Sequence, residues 1–87
     1  MWQVYILKSQ LKKWYYVGST NSLTKRFFEH ENGKVRSTKG YRPLIIVFMK
    51  EFNLESEARK YEKILKDKRV EKEKIIQLIE NKHYGIV

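Results

Sequence analysis

The sequence predicts an α/β domain of the α+β type, in which a three-stranded, largely antiparallel sheet is flanked by helices in the order β-β-α-β-α-α. Three observations support this class. Two aromatic and β-branched segments come first and are joined by a short connection. A third apolar segment follows a helical stretch, and the remainder carries apolar residues at helical spacing. The 87 residues suffice for one compact domain, so we interpret residues 1–87 as a single unit.

The first two predicted strands form a hairpin. Trp2–Lys8 is rich in aromatic and β-branched residues, and Lys13–Ser19 has the same character. A connection that closes around Gln10-Leu11 places Tyr5 directly opposite Tyr16, with both side chains on one face of the sheet. The hairpin therefore predicts two apposed phenols.

A helix is predicted next. Asn21 and Ser22 are suitable N-cap residues, so the helix should begin near Leu23. Leu23 and Phe27 mark its buried side, and Gly33 is the expected residue just after its end. The helix therefore packs an apolar side on the sheet and leaves its remaining sides to polar residues.

The segment after this helix has no apolar periodicity. We interpret Lys34–Arg42 as a solvated basic loop, which Pro43 ends. The third strand is then Leu44–Lys50, and its continuous apolar run predicts a central or well-covered strand. We expect it to pair with the first strand, because the second strand is already held by the hairpin.

The rest of the chain is predicted to be helical. A helix beginning near Glu55 or Ser56 has one apolar stripe, formed by Leu54, Ala58, Tyr61 and Leu65. A break is expected around Asp67–Arg69. The last helix should bury an apolar side formed by Ile75, Ile76, Leu78 and Ile79.

The charge is concentrated in the first half of the chain. The whole sequence carries +9, and residues 1–50 hold ten Lys or Arg against two Asp or Glu. This asymmetry favours a polyanionic partner, of which nucleic acid is the commonest, although solubility alone also explains surface lysines. The cations expected to contact nucleic acid lie on the first helix and in the loop after it: Lys25, Lys34, Arg36, Lys39 and Arg42.

Composition excludes several other classes of protein. The chain has no cysteine, which rules out disulfides and thiolate metal sites and is typical of a cytoplasmic protein. The longest apolar run, Leu44–Met49, is too short to cross a membrane. We therefore expect a cytoplasmic protein that has no membrane association.

Arg26 and His30 are four residues apart, so they share one face of the first helix. They lie at the edge of its apolar side, where polar side chains can point into a cleft above the sheet. A guanidinium can hold a phosphate with its forked donors, and an imidazole can transfer a proton near neutral pH. The alternative is a surface pair with Glu29 or Glu31.

Glu62 borders the apolar stripe of the second helix, three residues before Leu65. A partly buried carboxylate needs a partner. That partner can be Mg²⁺, which commonly takes one or two carboxylates and completes its shell with water and phosphate. It can equally be Lys66, four residues along the helix.

The two phenols also allow two interpretations. Tyr5 and Tyr16 can pack against each other as ordinary cross-strand neighbours. In a catalytic site, one phenol would need its pKa lowered by nearby cations or by a metal. Gly18, close to the end of the second strand, indicates either a close approach of the backbone to another group or a need for unusual backbone dihedral angles.

Together, the order and spacing of these residues resemble the GIY-YIG endonuclease superfamily, and in particular its small stand-alone bacterial members. Gln3-Val4-Tyr5 occupies the position of the first motif and Tyr16-Val17-Gly18 that of the second. Arg26 and His30 match the Arg-x-x-x-His pattern of the first helix, and Glu62 falls at the metal-ligand glutamate. Gln3 stands where the first motif has Gly.

The resemblance implies a nuclease domain that hydrolyses DNA phosphodiesters with one divalent ion, Mg²⁺ or Mn²⁺, on Glu62. It implies that Arg26 holds the phosphate, that Tyr5 or Tyr16 positions or deprotonates the water, and that His30 supports this proton transfer. Repair or recombination is the expected setting. Two alternatives stay open: a non-catalytic basic nucleic-acid-binding module, and a chain that becomes active only with a protein partner.

Overall fold

The computed structural model describes residues 1–84, with side chains over 1–68 and 71–80. It confirms the predicted fold class: an antiparallel three-stranded sheet with helices packed against it. No helix within this range has both the length and the apolar composition needed to cross a bilayer. The elements in chain order are β1 Trp2–Ser9, β2 Tyr15–Thr20, α1 Leu23–Glu31, α2 Arg36–Lys39, β3 Leu44–Phe52, α3 Glu55–Asp67 and α4 Arg69–Tyr84.

β1 is the central strand, because the sheet order is β2-β1-β3. The predicted pairing of the third strand with the first is confirmed. The prediction that the third strand is central or well covered is wrong. β3 is an edge strand, and its residues Ile45, Ile46 and Met49 are exposed. A three-stranded sheet has one central position, and β1 occupies it.

The two faces of β1 are both buried, and each belongs to a different cluster. We name them by the helix that covers them. On the α3 face lies an apolar cluster formed by Val4, Ile6, Val17, Ala58 and Leu65. On the α1 face, Tyr5, Leu7 and Leu44 are buried beneath Leu23 and Phe27 of α1. The predicted buried side of the first helix is therefore confirmed.

The hairpin register differs from the predicted one by two residues. Tyr5 pairs with Gly18 and Leu7 pairs with Tyr16, so the two phenols are diagonal neighbours rather than directly opposite. Side chains alternate between faces with a period of two, so a shift of two residues leaves both phenols on the α1 face. The predicted direct opposition is wrong, but the predicted shared face is correct.

The turn between the strands accounts for the shift. Ser9 N–H donates to the Trp14 carbonyl at 3.0 Å, so the connection is longer than the predicted closure around Gln10-Leu11. The Ser9 hydroxyl accepts hydrogen bonds from the backbone N–H groups of Leu11 and Lys12, both at 3.1 Å. A side-chain-supported turn thus replaces the tighter one, and β2 begins at Tyr15 instead of Lys13.

The predicted ends of the first helix are confirmed. α1 begins at Leu23, although its N-cap side chain makes no capping hydrogen bond. Gly33 follows the helix with φ +74°, a conformation that favours glycine. Its N–H donates to the His30 carbonyl at 3.1 Å, and Lys34 N–H donates to the Glu29 carbonyl at 3.0 Å. These two bonds form a Schellman motif, which fixes where α1 stops.

The segment Lys34–Arg42, predicted as a loop, contains the short helix α2. The N–H groups of Thr38 and Lys39 both donate to the Val35 carbonyl, which closes this turn. The Thr38 side chain is fully buried against His30. The prediction failed because this turn is stabilised by a tertiary contact, and apolar periodicity carries no information about such a contact.

The helices after β3 follow the prediction, with two exceptions. α3 begins at the expected place, and Ala58 and Leu65 are buried as predicted. Leu54 is 59% exposed, because it is the N-cap of α3 and not part of its helical stripe. In α4, Ile75 packs on the apolar cluster, whereas Leu78 is 69% exposed and does not belong to the core. The predicted break separates α3 from α4.

Candidate active site

Four predicted site residues come together on the α1 face: Tyr5, Tyr16, Arg26 and His30. The centroid of the His30 ring is 5.1 Å from that of Tyr16 and 5.8 Å from that of Tyr5, with both contacts edge-to-face. The two phenol rings are 6.4 Å apart. β1, β2 and α1 each supply part of this cluster, so the sheet and one helix suffice to build it.

Tyr5 is the most constrained member of the cluster. It is 1% exposed, and its hydroxyl is 2.9 Å from His30 Nε2. A Cβ added at Gly18 would lie 2.5 Å from this hydroxyl, which confirms the predicted close approach. Burial and the neighbouring Tyr16 raise the pKa of Tyr5 to about 12, although Arg26 acts in the opposite direction. Tyr5 is therefore a neutral phenol at neutral pH.

His30 lies deeper than predicted. The sequence places it at the edge of a cleft, but its side chain is fully buried. Its Nδ1 is 2.8 Å from the hydroxyl of Thr38, and its Nε2 faces Tyr5. Burial, reinforced by the positive charge of Arg26, lowers the pKa of His30 to about 4. The resting imidazole is therefore neutral well below pH 7.

Arg26 carries the positive charge of the cluster. Its side chain is 39% exposed, and its Nη1 is 3.1 Å from Glu29 Oε1. The surface pair considered from sequence is thus present. Burial acts to lower the pKa of Arg26, but hydrogen bonds to Glu29 and Tyr5 together raise it. Arg26 is a permanent cation, and its guanidinium is hydrogen-bonded to Tyr5 as well as to Glu29.

Glu62 belongs to α3 and is not part of the buried cluster. Its Oε1 accepts a hydrogen bond from the Ser19 hydroxyl, and its Oε2 is 2.5 Å from Lys66 Nζ. The predicted helix pair with Lys66 therefore forms. Burial acts to raise the pKa of Glu62, but the hydrogen bonds from Lys66 and Ser19 hold it below its usual value. The carboxylate is ionised and 16% exposed.

Lys66 connects the two parts of the site. Its Nζ contacts Glu62 and also lies 5.9 Å from the centroid of the Tyr16 ring. The negative charge of Glu62 contributes in turn to the raised pKa of Tyr5. Tyr16 and Ser19 of β2 thus bring two parts of the site to the same edge of the sheet. These are the Glu62 carboxylate and the phenol cluster, formed by Tyr5, Tyr16, Arg26 and His30.

The oxygen groups around Glu62 fit a lightly coordinated divalent ion. Among the described residues, no group of three or more His, Cys, Asp or Glu side chains could hold a metal. Glu62 offers one ionised carboxylate, and the Ser19 hydroxyl lies next to it. Mg²⁺ commonly binds through one carboxylate, with water and substrate phosphate as its other ligands. An ion on Glu62 would compete with Lys66 for the carboxylate.

The predicted nucleic-acid contacts divide into two groups. Four cations are exposed on α1, in the turn after it or on α2: Lys25, Lys34, Arg36 and Lys39. Arg42 is partly buried, and its Nε donates to the Lys39 carbonyl at 2.9 Å. Its Nη1 donates to the Glu31 carbonyl at 3.4 Å. Arg42 therefore also holds the basic segment against α1.

The sequence analysis did not predict two contacts of the site, that of Ser19 with Glu62 and that of Thr38 with His30. Ser19 contacts Glu62 because it lies on the opposite face of β2 from Tyr16, a relation that the period-two alternation contains. Thr38 contacts His30 from a segment without periodicity, so no pattern indicates it. Buried polar groups that meet across the fold are visible only in three dimensions.

A family model matches most of the chain. The family model for the GIY-YIG catalytic domain matches residues 1–75, a range that contains the phenol cluster, the basic segment and Glu62. No curated protein and no solved structure matches the chain.

Proposed function

The chain belongs to the GIY-YIG catalytic domain family, a family with nuclease-type activity, and on this basis we propose that it is a metal-dependent endonuclease that hydrolyses DNA phosphodiesters. The observation that carries the proposal is the buried hydrogen bond between Tyr5 and His30 beside the fixed charge of Arg26. Repair or recombination of DNA is the proposed setting, and Mg²⁺ or Mn²⁺ is the proposed ion.

The charge distribution supports a polyanionic substrate. Residues 1–50 carry a balance of +8, because ten Lys or Arg stand against two Asp or Glu. The exposed cations of α1 and α2 belong to the same side of the sheet as the phenols. A phosphate backbone that followed these cations would reach Arg26 next to Tyr5.

Arg26 is suited to hold the scissile phosphate. Only its Nη1 is engaged by Glu29, and its side chain is partly exposed. A guanidinium presents several donors in one plane, so it can keep its acidic partner while it binds a phosphate oxygen. Charge that develops on the phosphate in the transition state would strengthen this contact.

Tyr5 and His30 are suited to remove the proton of the attacking water. Both are neutral at rest, and burial makes both charged forms costly. A relay avoids a free phenolate: the water proton passes to the Tyr5 oxygen while the Tyr5 proton passes to His30 Nε2. The water oxygen then bonds to phosphorus, the bond to the leaving oxygen breaks, and that oxygen takes a proton from solvent. A phosphate bound to Arg26 would also offset the charge that lowers the pKa of His30.

Glu62 is the residue that would hold the ion. A bound divalent ion would supply positive charge for the pentacovalent phosphate and the leaving oxygen. Glu62 is suited to this task because its low pKa keeps it ionised, and Ser19 fixes the direction of one carboxylate oxygen. Tyr16 packs its ring against His30 and so keeps the imidazole directed at Tyr5.

The test uses labelled single-stranded, duplex, flapped and branched DNA with Mg²⁺, Mn²⁺ or EDTA. We expect metal-dependent products from the wild type, none above background from Glu62→Gln, and a loss of about 100-fold or more in Arg26→Ala. Glu57→Gln, an exposed carboxylate of the same helix, is the matched control and should cleave normally. DNA that is retarded in a gel but remains uncut under every condition would refute nuclease activity of the chain by itself and favour either the non-catalytic binding module or a chain that needs a protein partner.

A further inference from the structure

Resting on the proposed function, we propose that Thr38 is a positioning residue that fixes the tautomer of His30 and thereby directs the Tyr5 proton toward Nε2. Thr38 is fully buried. Its hydroxyl oxygen lies 2.8 Å from His30 Nδ1 and 3.3 Å from the Val35 carbonyl oxygen. It thus stands at the far end of a chain of polar contacts that begins at Tyr5.

The direction of this chain follows from counting donors and acceptors. A neutral imidazole carries one ring proton, and a carbonyl oxygen can only accept. When the Thr38 hydroxyl donates to Val35, its oxygen accepts from Nδ1–H, and His30 Nε2 is left with a lone pair. The Tyr5 hydroxyl then donates to Nε2, so every hydrogen in the chain has an acceptor.

The opposite direction leaves one buried hydrogen without a partner. If Thr38 donated to Nδ1, Nε2–H would have to donate to the Tyr5 oxygen. Arg26, the other group hydrogen-bonded to Tyr5, is also a donor only. Among the groups that the structure describes, with side chains over 1–68 and 71–80, His30 Nε2 is the one acceptor at hydrogen-bond distance from the Tyr5 hydroxyl. A buried O–H without an acceptor is costly, so the first direction is favoured.

The tautomer matters because the relay requires a lone pair on Nε2. With the proton on Nε2, Tyr5 could not pass its own proton to His30 and could not accept one from water. Thr38 provides an acceptor for Nδ1–H, and a serine can do the same, whereas an isosteric valine cannot. The Thr38 hydroxyl, which lies in a segment predicted as a loop, thereby determines that His30 Nε2 is the nitrogen that accepts the Tyr5 proton.

The tautomer is read directly from the ¹⁵N chemical shifts of His30 in NMR spectra, recorded in a His83→Gln background so that one histidine remains. We expect the Nδ1–H form in the wild type, in Thr38→Ser and in the matched control Ser37→Ala, an exposed neighbour. We expect Thr38→Val to shift toward the Nε2–H form. Its cleavage rate should fall about 10- to 100-fold while its DNA affinity is unchanged, as for other groups that orient a functional imidazole.

Two results would overturn the inference: an Nε2–H tautomer in the wild type, or a Thr38→Val protein whose tautomer populations equal those of the wild type. If Thr38→Val does not fold, the tautomers of the wild type and of Thr38→Ser still decide the question. The NMR readout needs no nuclease activity. Expected tautomers without cleavage of any DNA would therefore refute the proposed function and leave the assignment of Thr38 intact.

Discussion

The two faces of β1 differ in chemistry although they belong to the same short strand. On the α3 face, Val4 and Ile6 belong to a buried apolar cluster. On the α1 face, Tyr5 meets His30, which in turn meets Thr38, and all three are buried. One face contributes stability through the apolar area that it removes from water, whereas on the other the buried polar groups of Tyr5, His30 and Thr38 are hydrogen-bonded to one another. Alternate residues of one strand thus separate folding from chemistry.

The largest expected effect tests the apolar face. Leu65→Ala removes a side chain that is 1% exposed. We expect the free energy of unfolding to fall by about 2–5 kcal/mol, because a cavity remains among the α3 cluster. Urea denaturation measures this loss, and Leu78→Ala, at a residue that is 69% exposed, is the control with little effect. A loss that also changed the His30 tautomer would show that the two faces are not independent.

The next largest effect is the pH dependence of the free energy of unfolding that His30 causes on the α1 face. The pKa of His30 is about 4 in the folded protein and 6.5 as its ordinary value. The unfolded chain therefore binds more protons in this window, so the free energy of unfolding falls as the pH drops from 6.5 to about 4. Over the whole window this loss approaches about 3 kcal/mol.

Urea denaturation of the wild type and of His30→Gln between pH 6.5 and about 4 isolates the part of the stability loss that is due to His30. The other titrating groups are common to both proteins. The wild type should lose more stability than the variant. Parallel curves would mean that His30 is not held in its neutral form by the fold.

A smaller effect is expected where the backbone of β2 meets Tyr5. Gly18→Ala would place a Cβ 2.5 Å from the Tyr5 hydroxyl, so the phenol must move and lose its bond to His30. We expect a cost of about 1–3 kcal/mol, measured by thermal or urea denaturation, together with loss of cleavage. Gly40→Ala is the matched control: nothing lies within 4 Å of its Cβ, and its φ is −80°. Equal costs at the two glycines would contradict the close packing of Tyr5.

The smallest change in stability is expected for the ion pair between Lys66 and Glu62, which lies at the β2 edge of the sheet. Lys66→Met removes the cation paired with Glu62, and a partly exposed pair of this kind contributes at most about 1 kcal/mol. The informative readout is the Mg²⁺ concentration for half-maximal cleavage, which should fall because the competitor for the carboxylate is gone. Lys63→Met, an exposed lysine of the same helix, should leave this concentration unchanged. An increased Mg²⁺ requirement would mean that Lys66 assists the ion.

Much of this arrangement can be predicted from sequence because it follows from periodicity. The alternation along the first two strands places Tyr5 and Tyr16 on one face, and that result survives a register error of two residues. The helical spacing of Arg26 and His30 likewise places them together on α1. Both relations can be predicted because they depend only on residues that are close in sequence.

The parts that sequence analysis missed are relations between distant segments. The burial of His30 depends on α2 closing over it, and that helix is four residues long and has no apolar period. The exposure of β3 depends on which strand is central in the sheet, and the apolar composition of β3 does not indicate the order of the strands. The turn supported by Ser9 changed the register because a single hydroxyl accepts two backbone hydrogen bonds.

The central position of β1 also determines how long the pieces of the site stay in place. Val4–Leu7 are buried on both faces, and the strand is hydrogen-bonded on both edges. Its amide hydrogens can exchange with solvent only when the sheet itself separates, whereas a four-residue helix such as α2 opens in far smaller fluctuations. We therefore expect slower amide exchange at Tyr5 than in α2, which carries Arg36 and Lys39. For the same reason, we expect the contacts made by the α2 cations to change more often than the position of the Tyr5 phenol.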